Sequence, residues 1–263
     1  MKIIKVPFKN SKECWHEGIT DGTEEAPDAI VKTLSKDIWI NESGKGIDPA
    51  FLTVAEIKND IYKEAKHILE EVNKKQEKII FVGGDHSCSF PLFKAFSECY
   101  QNAGLVIFDA HPDCMKPHEN PNHEEWLRAT IESGISPEKI ILVGTRASCI
   151  EEENFLKLQK INFFTCKEIF GNIEEACNNV MEEARKFDAL YIGIDIDVVD
   201  PSAAPGTGYI EPAGLSAREL LYFLQRLRLL KNFRVADLVE INPQKDINNQ
   251  TIKLGAKIIA ELL

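Results

Sequence analysis

The sequence predicts an α/β protein built on a largely parallel sheet with helices on both faces. Short β-branched apolar runs alternate along the chain with stretches of helical periodicity. Turn residues punctuate the alternation, and 44% hydrophobic content over 263 residues is ample for a core. No repeat, low-complexity tract or linker interrupts the pattern, so residues 1–263 read as one domain. The opening Met1-Lys-Ile-Ile-Lys-Val-Pro-Phe8 is too short for a signal-peptide core and reads as a first strand. Thr53-x-x-Glu56 has the form of a capping box and predicts a helix start. Ile57, Ile61, Ala65, Ile68, Leu69 and Val72 then keep one helical stripe to near Asn73. A strand follows at 78–82, a helix over Ser87–Glu98, a strand at 105–108 and a helix near 124–133. Next come a strand at 139–143, a helix near 150–160, a strand at 161–164, a helix around 173–187 and a strand at 190–194. An irregular stretch rich in Pro and Gly covers 200–215. Ser216 and Glu219 then cap a helix, followed by a strand at 233–240 and a closing helix from about Thr251.

Composition narrows the function classes. Lys and Arg number 31 against 42 Asp and Glu, so the net charge is 31 − 42 = −11. That balance argues against nucleic-acid and anionic-membrane partners and is compatible with a cationic substrate. The longest apolar runs are strand-sized, so none reads as a membrane span. Seven cysteines, an odd number, form no Cys-x-x-Cys pair, which reads as reduced thiols in a cytoplasmic protein. Cys88 and Cys114 adjoin the acidic motifs and read as small buried packing residues.

The chemistry lies in three stretches, each placed after an apolar run: Gly-Gly-Asp-His at 83–86, Asp-Ala-His-Pro-Asp at 109–113, and Asp-Ile-Asp at 195–197. If the chain stays extended past Phe108, then Asp109, His111 and Asp113 face one way, as do Asp195 and Asp197. Taken alone, a Gly-Gly-Asp-His is ordinarily a turn. Three such stretches at strand ends, the edge where open α/β sheets bind ligands, are a stronger signal. Four ionised carboxylates in one place repel by about 4 kcal/mol for each pair ~4 Å apart. Cations among them, or protons on them, must relieve that strain. Oxygen-rich ligands with one imidazole per ion suit manganese or magnesium, and the histidines favour manganese over calcium.

Gly83-Gly-Asp-His-Ser87, Asp109-Ala-His-Pro-Asp113 and Asp195-Ile-Asp-Val-Val-Asp-Pro201, with Pro205-Gly-Thr-Gly208, resemble the signature motifs of the arginase/agmatinase (ureohydrolase) family. Ala26-Pro-Asp-Ala-Ile30, Leu238-Val-Glu-Ile-Asn-Pro243 and Thr251–Ile259 extend the likeness nearly end to end. The resemblance implies a three-layer α/β/α fold around a mostly parallel eight-stranded sheet. It also implies two manganese ions, one held by His86, Asp109, Asp113 and Asp195, the other by His111, Asp109, Asp195 and Asp197. The expected activity is hydrolysis of a guanidino or amidine C–N bond by hydroxide shared between the ions. Asp113 is the first candidate to relay a proton to the departing amine, and Glu240 matches the glutamate that grips the guanidinium. Asp200 is expected to shape the loop beneath the ions. Homo-oligomers, trimers or hexamers, are also implied.

His123, ten residues beyond Asp113, is the expected proton shuttle, with His118 as the other histidine of that loop. Glu124-Glu-Trp-Leu-Arg128 follows, where the family more often has a histidine-glycine pair, and that run also reads as a helix start. Met115 stands where arginases place an asparagine for the α-carboxylate and where formimidoylglutamase-like enzymes are expected to have an arginine. An agmatinase-like reaction, releasing urea and an amine from a small cationic guanidino substrate, is therefore the leading expectation. Arginase, guanidino-acid hydrolase and formimidoylglutamase activities are the alternatives, since Lys116 or Arg128 could meet an acid group. A metal-dependent deacetylase has no use for a guanidinium anchor at Glu240, and a non-catalytic ligand-binding relative has no need of all six metal-type residues.

Overall fold

The computed structural model describes residues 2–263 except 11, 13, 38, 39, 50, 51 and 76. Eight strands form one sheet: β1 (Lys2–Val6), β2 (Thr53–Glu56), β3 (Ile79–Gly83), β4 (Ala103–Phe108), β5 (Ile140–Thr145), β6 (Asn162–Thr165), β7 (Ala189–Asp195) and β8 (Phe233–Val239). Their order is β2-β1-β3-β8-β7-β4-β5-β6, and every pairing is parallel. The α-helices among the described residues are α1 (Ala26–Asp37), α2 (Ile61–Lys75), α3 (Ser89–Ser97), α4 (Trp126–Glu132), α5 (Ile150–Gln159), α6 (Cys166–Gly171), α7 (Ile173–Ala184), α8 (Ala217–Leu227) and α9 (Gln250–Leu262), with short 3-10 turns at His86–Cys88 and Ile196–Val198 among others.

Strand periodicity divides the interior into two cores. Ile80 and Val82 of β3, Val106 and Phe108 of β4, and Ile192 and Ile194 of β7 face one side, packing with residues of α1 and of α6 to α9. Their neighbours Ile79, Phe81, Leu105, Ile107 and Tyr191 face the other, with residues of α2 to α5. Central parallel strands covered on both faces read as continuous apolar runs, as the sequence does at 79–82 and 189–194.

Two local expectations are corrected. Thr53–Glu56 is the edge strand β2 beside β1, not a helix cap. The true cap lies later: Asp60 Oδ1 accepts the Lys63 N–H at 3.0 Å, and Glu64 accepts from the backbone of Lys58 and Asn59. Ile57 is buried like the helical stripe although it precedes the helix, which extended the apparent period backward by one turn. The predicted helix at 173–187 ends at Ala184, and it is preceded by the short α6, capped by Thr165 and Glu168. Ser216 and Glu219 form the expected capping box of α8.

The four central strands β3, β8, β7 and β4 are neighbours in the sheet. At their carboxyl ends stand the Gly-Gly-Asp-His stretch, Glu240, the Asp-Ile-Asp stretch and the Asp-x-His-x-Asp stretch. Segments separated by about 155 residues of chain are thus delivered to one edge.

Candidate metal centre and its cavity

The side chains converge by a repeated turn rather than by continued strand. Asp85 Oδ1 accepts the Ser87 N–H at 3.1 Å, Asp109 Oδ1 that of His111 at 2.7 Å, and Asp195 Oδ1 that of Asp197 at 2.8 Å. Each aspartate captures the amide two residues on, which turns the chain at once and fixes one carboxylate oxygen. Ala110 N–H donates to Asp197 Oδ1 at 3.0 Å and ties the ends of β4 and β7 together. The extended course expected after Phe108 is therefore corrected: the backbone bends, and Asp113 sits at φ 50°. Asp113 still reaches the cluster, because Trp126 Nε1 donates to its Oδ2 at 2.8 Å.

All six expected metal-type residues meet. Oxygens of Asp109, Asp113 and Asp195 lie 3.1, 3.0 and 3.2 Å from His86 Nδ1. His111 Nδ1 lies 2.9 Å from Asp197 Oδ2 and 3.7 Å from Asp109 Oδ1. Two groups, His86 with Asp109 and Asp195, and His111 with Asp109 and Asp197, each bring their donor atoms within 4.8 Å of one another. A ring nitrogen carries at most one proton and cannot satisfy three carboxylates. Both nitrogens of the buried His86 ring in fact lack a hydrogen-bond partner. Convergent oxygens around an orphaned imidazole nitrogen fit a hard divalent cation that also accepts histidine, as manganese does. The Trp126 ring, 4.5 Å from that of His86, holds the imidazole in place.

Electrostatics agrees with that fit. Burial, reinforced by Asp109, pushes Asp113 up to about 8, and burial with Asp197 beside it holds Asp195 well above its ordinary value. Burial opposes charge on His86, yet its close carboxylates Asp109, Asp113 and Asp195 hold its pKa well above the usual value. Asp113 and Asp195 are thus pushed toward their protonated forms where no cation lies beside them, as crowding of carboxylates requires.

Glu240 ends β8 at φ 64°, with its N–H on the Gly84 carbonyl at 2.8 Å. Its Oε1 accepts the His86 N–H at 2.7 Å, so the carboxylate is fixed beside the cluster, and it lines the same cavity of about 280 Å³. His123 is buried, lines that cavity, and has no partner on either ring nitrogen; burial pushes it down to about 4. His118 does not line it, because its backbone and ring both engage Glu125. Asp200 ties the 200–214 loop, accepting from Ser202, Ala213 and Gly214 backbone N–H groups. Arg128 is held outside by Glu132 and Glu151, and neither it nor Lys116 lines the cavity. Cys88 and Cys114 are buried.

Sequence reasoning missed the outer wall. Trp15, His16, Glu124 and Tyr209 also line the cavity. Tyr209, directly after the Pro-Gly-Thr-Gly turn, and Glu124, directly after His123, had a local signal to find them by.

A sequence model described as the Arginase family matches residues 1–263. An arginase from Staphylococcus aureus is 32% identical over 222 residues, 75% of this chain and 74% of that protein. The chain belongs to the arginase family. An agmatinase from Bacillus subtilis is also 32% identical, over 69% of this chain but 61% of its own length. Among solved structures, a formimidoylglutamase from Bacillus subtilis superposes with a TM-score of 0.85 at 24% identity, covering 99% of this chain and 85% of that one. An agmatine ureohydrolase from Thermoplasma volcanium gives 0.82, also at 24%, covering 99% and 87%. These likenesses carry the fold: the eight-stranded α/β/α architecture is that of the arginase family, here with the sheet wholly parallel among the described residues. As a family member the chain is a hydrolase of C–N bonds in linear amidines.

Proposed function

We propose that this arginase-family hydrolase acts on a guanidino compound whose tail carries no recognised carboxylate, an agmatinase-like reaction releasing urea and an amine. One observation carries the choice. Seven carboxylate side chains line the cavity and no lysine or arginine does, among the described residues. A guanidino acid entering it would find no lysine or arginine for its carboxylate beyond the proposed ions, and Glu124 and Glu211 there would repel it. Met115 lines the cavity at the position of the arginase asparagine and offers no strong hydrogen bond.

His86, Asp109, Asp113 and Asp195 would hold one manganese ion, and His111, Asp109, Asp195 and Asp197 the other, all within one catalytic domain. Two such ions supply the Lewis acidity that makes water nucleophilic near neutral pH. Glu240, with Oε1 fixed on the His86 amide, keeps Oε2 to accept N–H bonds from the guanidinium and hold its plane. Buried carboxylate and planar cation meet away from water, where a charge-assisted pair gains most. Asp113 takes a proton as the tetrahedral carbon forms and gives it to the departing amine. His123, neutral and unpartnered, passes the water's other proton between the cavity and the outside, where it can complete the departing amine's ammonium. Manganese-loaded protein offered agmatine, arginine, 4-guanidinobutyrate, formimidoylglutamate and free guanidine tests the choice. Agmatine is expected to give the highest kcat/KM for product release; a guanidino acid or arginine ranking first sinks the proposal.

A further inference from the structure

Of the seven carboxylates lining the cavity, three, Asp113, Asp195 and Asp197, belong to the ion cluster. Glu152 is spent on the backbone: its oxygens accept the Cys114 and Cys149 N–H groups, each at 3.0 Å. Glu211 stands 3.6 Å from His111 Nε2. Glu240 serves the guanidinium. Glu124 remains, and it is held in place rather than loose. Its Oε1 accepts the Tyr209 hydroxyl at 2.6 Å and its Oε2 accepts the Trp15 N–H at 3.0 Å. Each carboxylate oxygen keeps a second lone pair for a further donor.

The Tyr209 side chain runs from beside the ion cluster to Glu124. The ring centroid lies 5.4 Å from that of His111, at the ion cluster, and 6.0 Å from that of His123. Its hydroxyl reaches the other way, to Glu124 and to His16 Nδ1 at 3.2 Å. Trp15, whose amide is anchored on Glu124, is 69% exposed and lines the same cavity. An exposed aromatic beside an oriented carboxylate, with a second aromatic as the floor, is a chemistry that receives an ammonium group.

We propose that Glu124, oriented by Tyr209 and Trp15, is the specificity-determining residue that binds a second positive charge at the far end of the substrate. This rests on the reading of the site as a guanidine hydrolase with Glu240 at the guanidinium. The ligand class is accordingly a dication: a guanidinium joined by a short alkyl chain to an ammonium. Glu240 and Glu124 take one charge each, and the Tyr209 ring lies along the chain between them.

The test compares agmatine with n-pentylguanidine, which has the same length with methyl in place of ammonium, on manganese-loaded protein. Wild type is expected to favour agmatine in kcat/KM by about tenfold or more, the worth of a hydrogen bond to a charged group. Glu124→Gln keeps the side chain's length and one acceptor oxygen and loses the charge, and should lower that preference by about tenfold, mainly through KM. Tyr209→Phe keeps the ring, loses the hydroxyl that orients Glu124, and should lower it by less. An equal preference in wild type and Glu124→Gln overturns the proposal, as does a wild type that favours neither tail. If Glu124→Gln does not fold, the wild-type preference and Tyr209→Phe decide in its place. If neither compound yields urea, the hydrolase reading fails, and calorimetric affinities of the same two compounds decide the role of Glu124 by the same ratios.

Discussion

Asp113 and Glu240 both hold positive φ, at 50° and 64°, in a region that costs a residue with a Cβ about 1–2 kcal/mol. Both aim a carboxylate into one cavity, and both are overdetermined by neighbours, Asp113 by Trp126 Nε1 and Glu240 by the backbone of Gly84 and His86. Strain held this way marks positions where orientation matters more than backbone comfort. Asp195 shares a donor group with His86 and Asp109 and turns the chain toward Asp197, so Asp195→Asn is expected to lose manganese measured by elemental analysis and to lower urea release more than about 100-fold. A variant retaining full metal content and rate would contradict the assignment. His123→Asn removes an unpartnered ring without touching a carboxylate of the cluster. Its kcat should fall by about 10²–10⁴ while KM changes little, the mark of a proton-transfer group.

Among the elements, β3 and its turn position the site most tightly. A Cβ on Gly84 would lie 2.0 Å from the Phe8 carbonyl oxygen, a backbone atom that cannot swing aside. Gly84 also gives its carbonyl to Glu240 N–H, and Asp85 N–H donates to Phe8 at 3.1 Å. Gly84→Ala should therefore lower stability by about 3 kcal/mol or more in chemical denaturation, and any folded fraction should lose activity through displaced Glu240. The edge strand β2 shows the opposite case. Its Thr-x-x-Glu pattern is a good helix signal, and pairing with β1 overrides it because tertiary context outweighs local propensity. Its side chains are largely exposed, so no apolar alternation was there to announce a strand.

For the molecule as a whole, the same ions proposed to drive catalysis would also hold the sheet edge together. They would join the ends of β3, β4 and β7, relieving the repulsion among the carboxylates at and just past the ends of β4 and β7. Ligands that bind only the folded state stabilise it, by about 2.7 kcal/mol for each site at a hundred times its Kd. Chelation should lower the Tm of the manganese-loaded protein, and re-added manganese should restore it together with activity. An unchanged Tm on complete metal removal would show that the cluster does not couple to folding.

The sheet and the six metal-type residues were legible in the chain because their signals are local. A buried parallel strand is a short apolar run, and a carboxylate or imidazole at its end needs only the strand to fix its place; β3, β4 and β7 with His86, Asp109 and Asp195 were all found this way. The outer wall was not, since Trp15, Glu124 and Tyr209 meet across separations of 109 and 85 residues, through hydrogen bonds that leave no periodic trace. Long-range contacts of that kind exist only after the sheet has assembled. So the residues alone set the reaction class, whereas packing settled which groups form the outer wall of the cavity and which of the two loop histidines, His118 and His123, lines it.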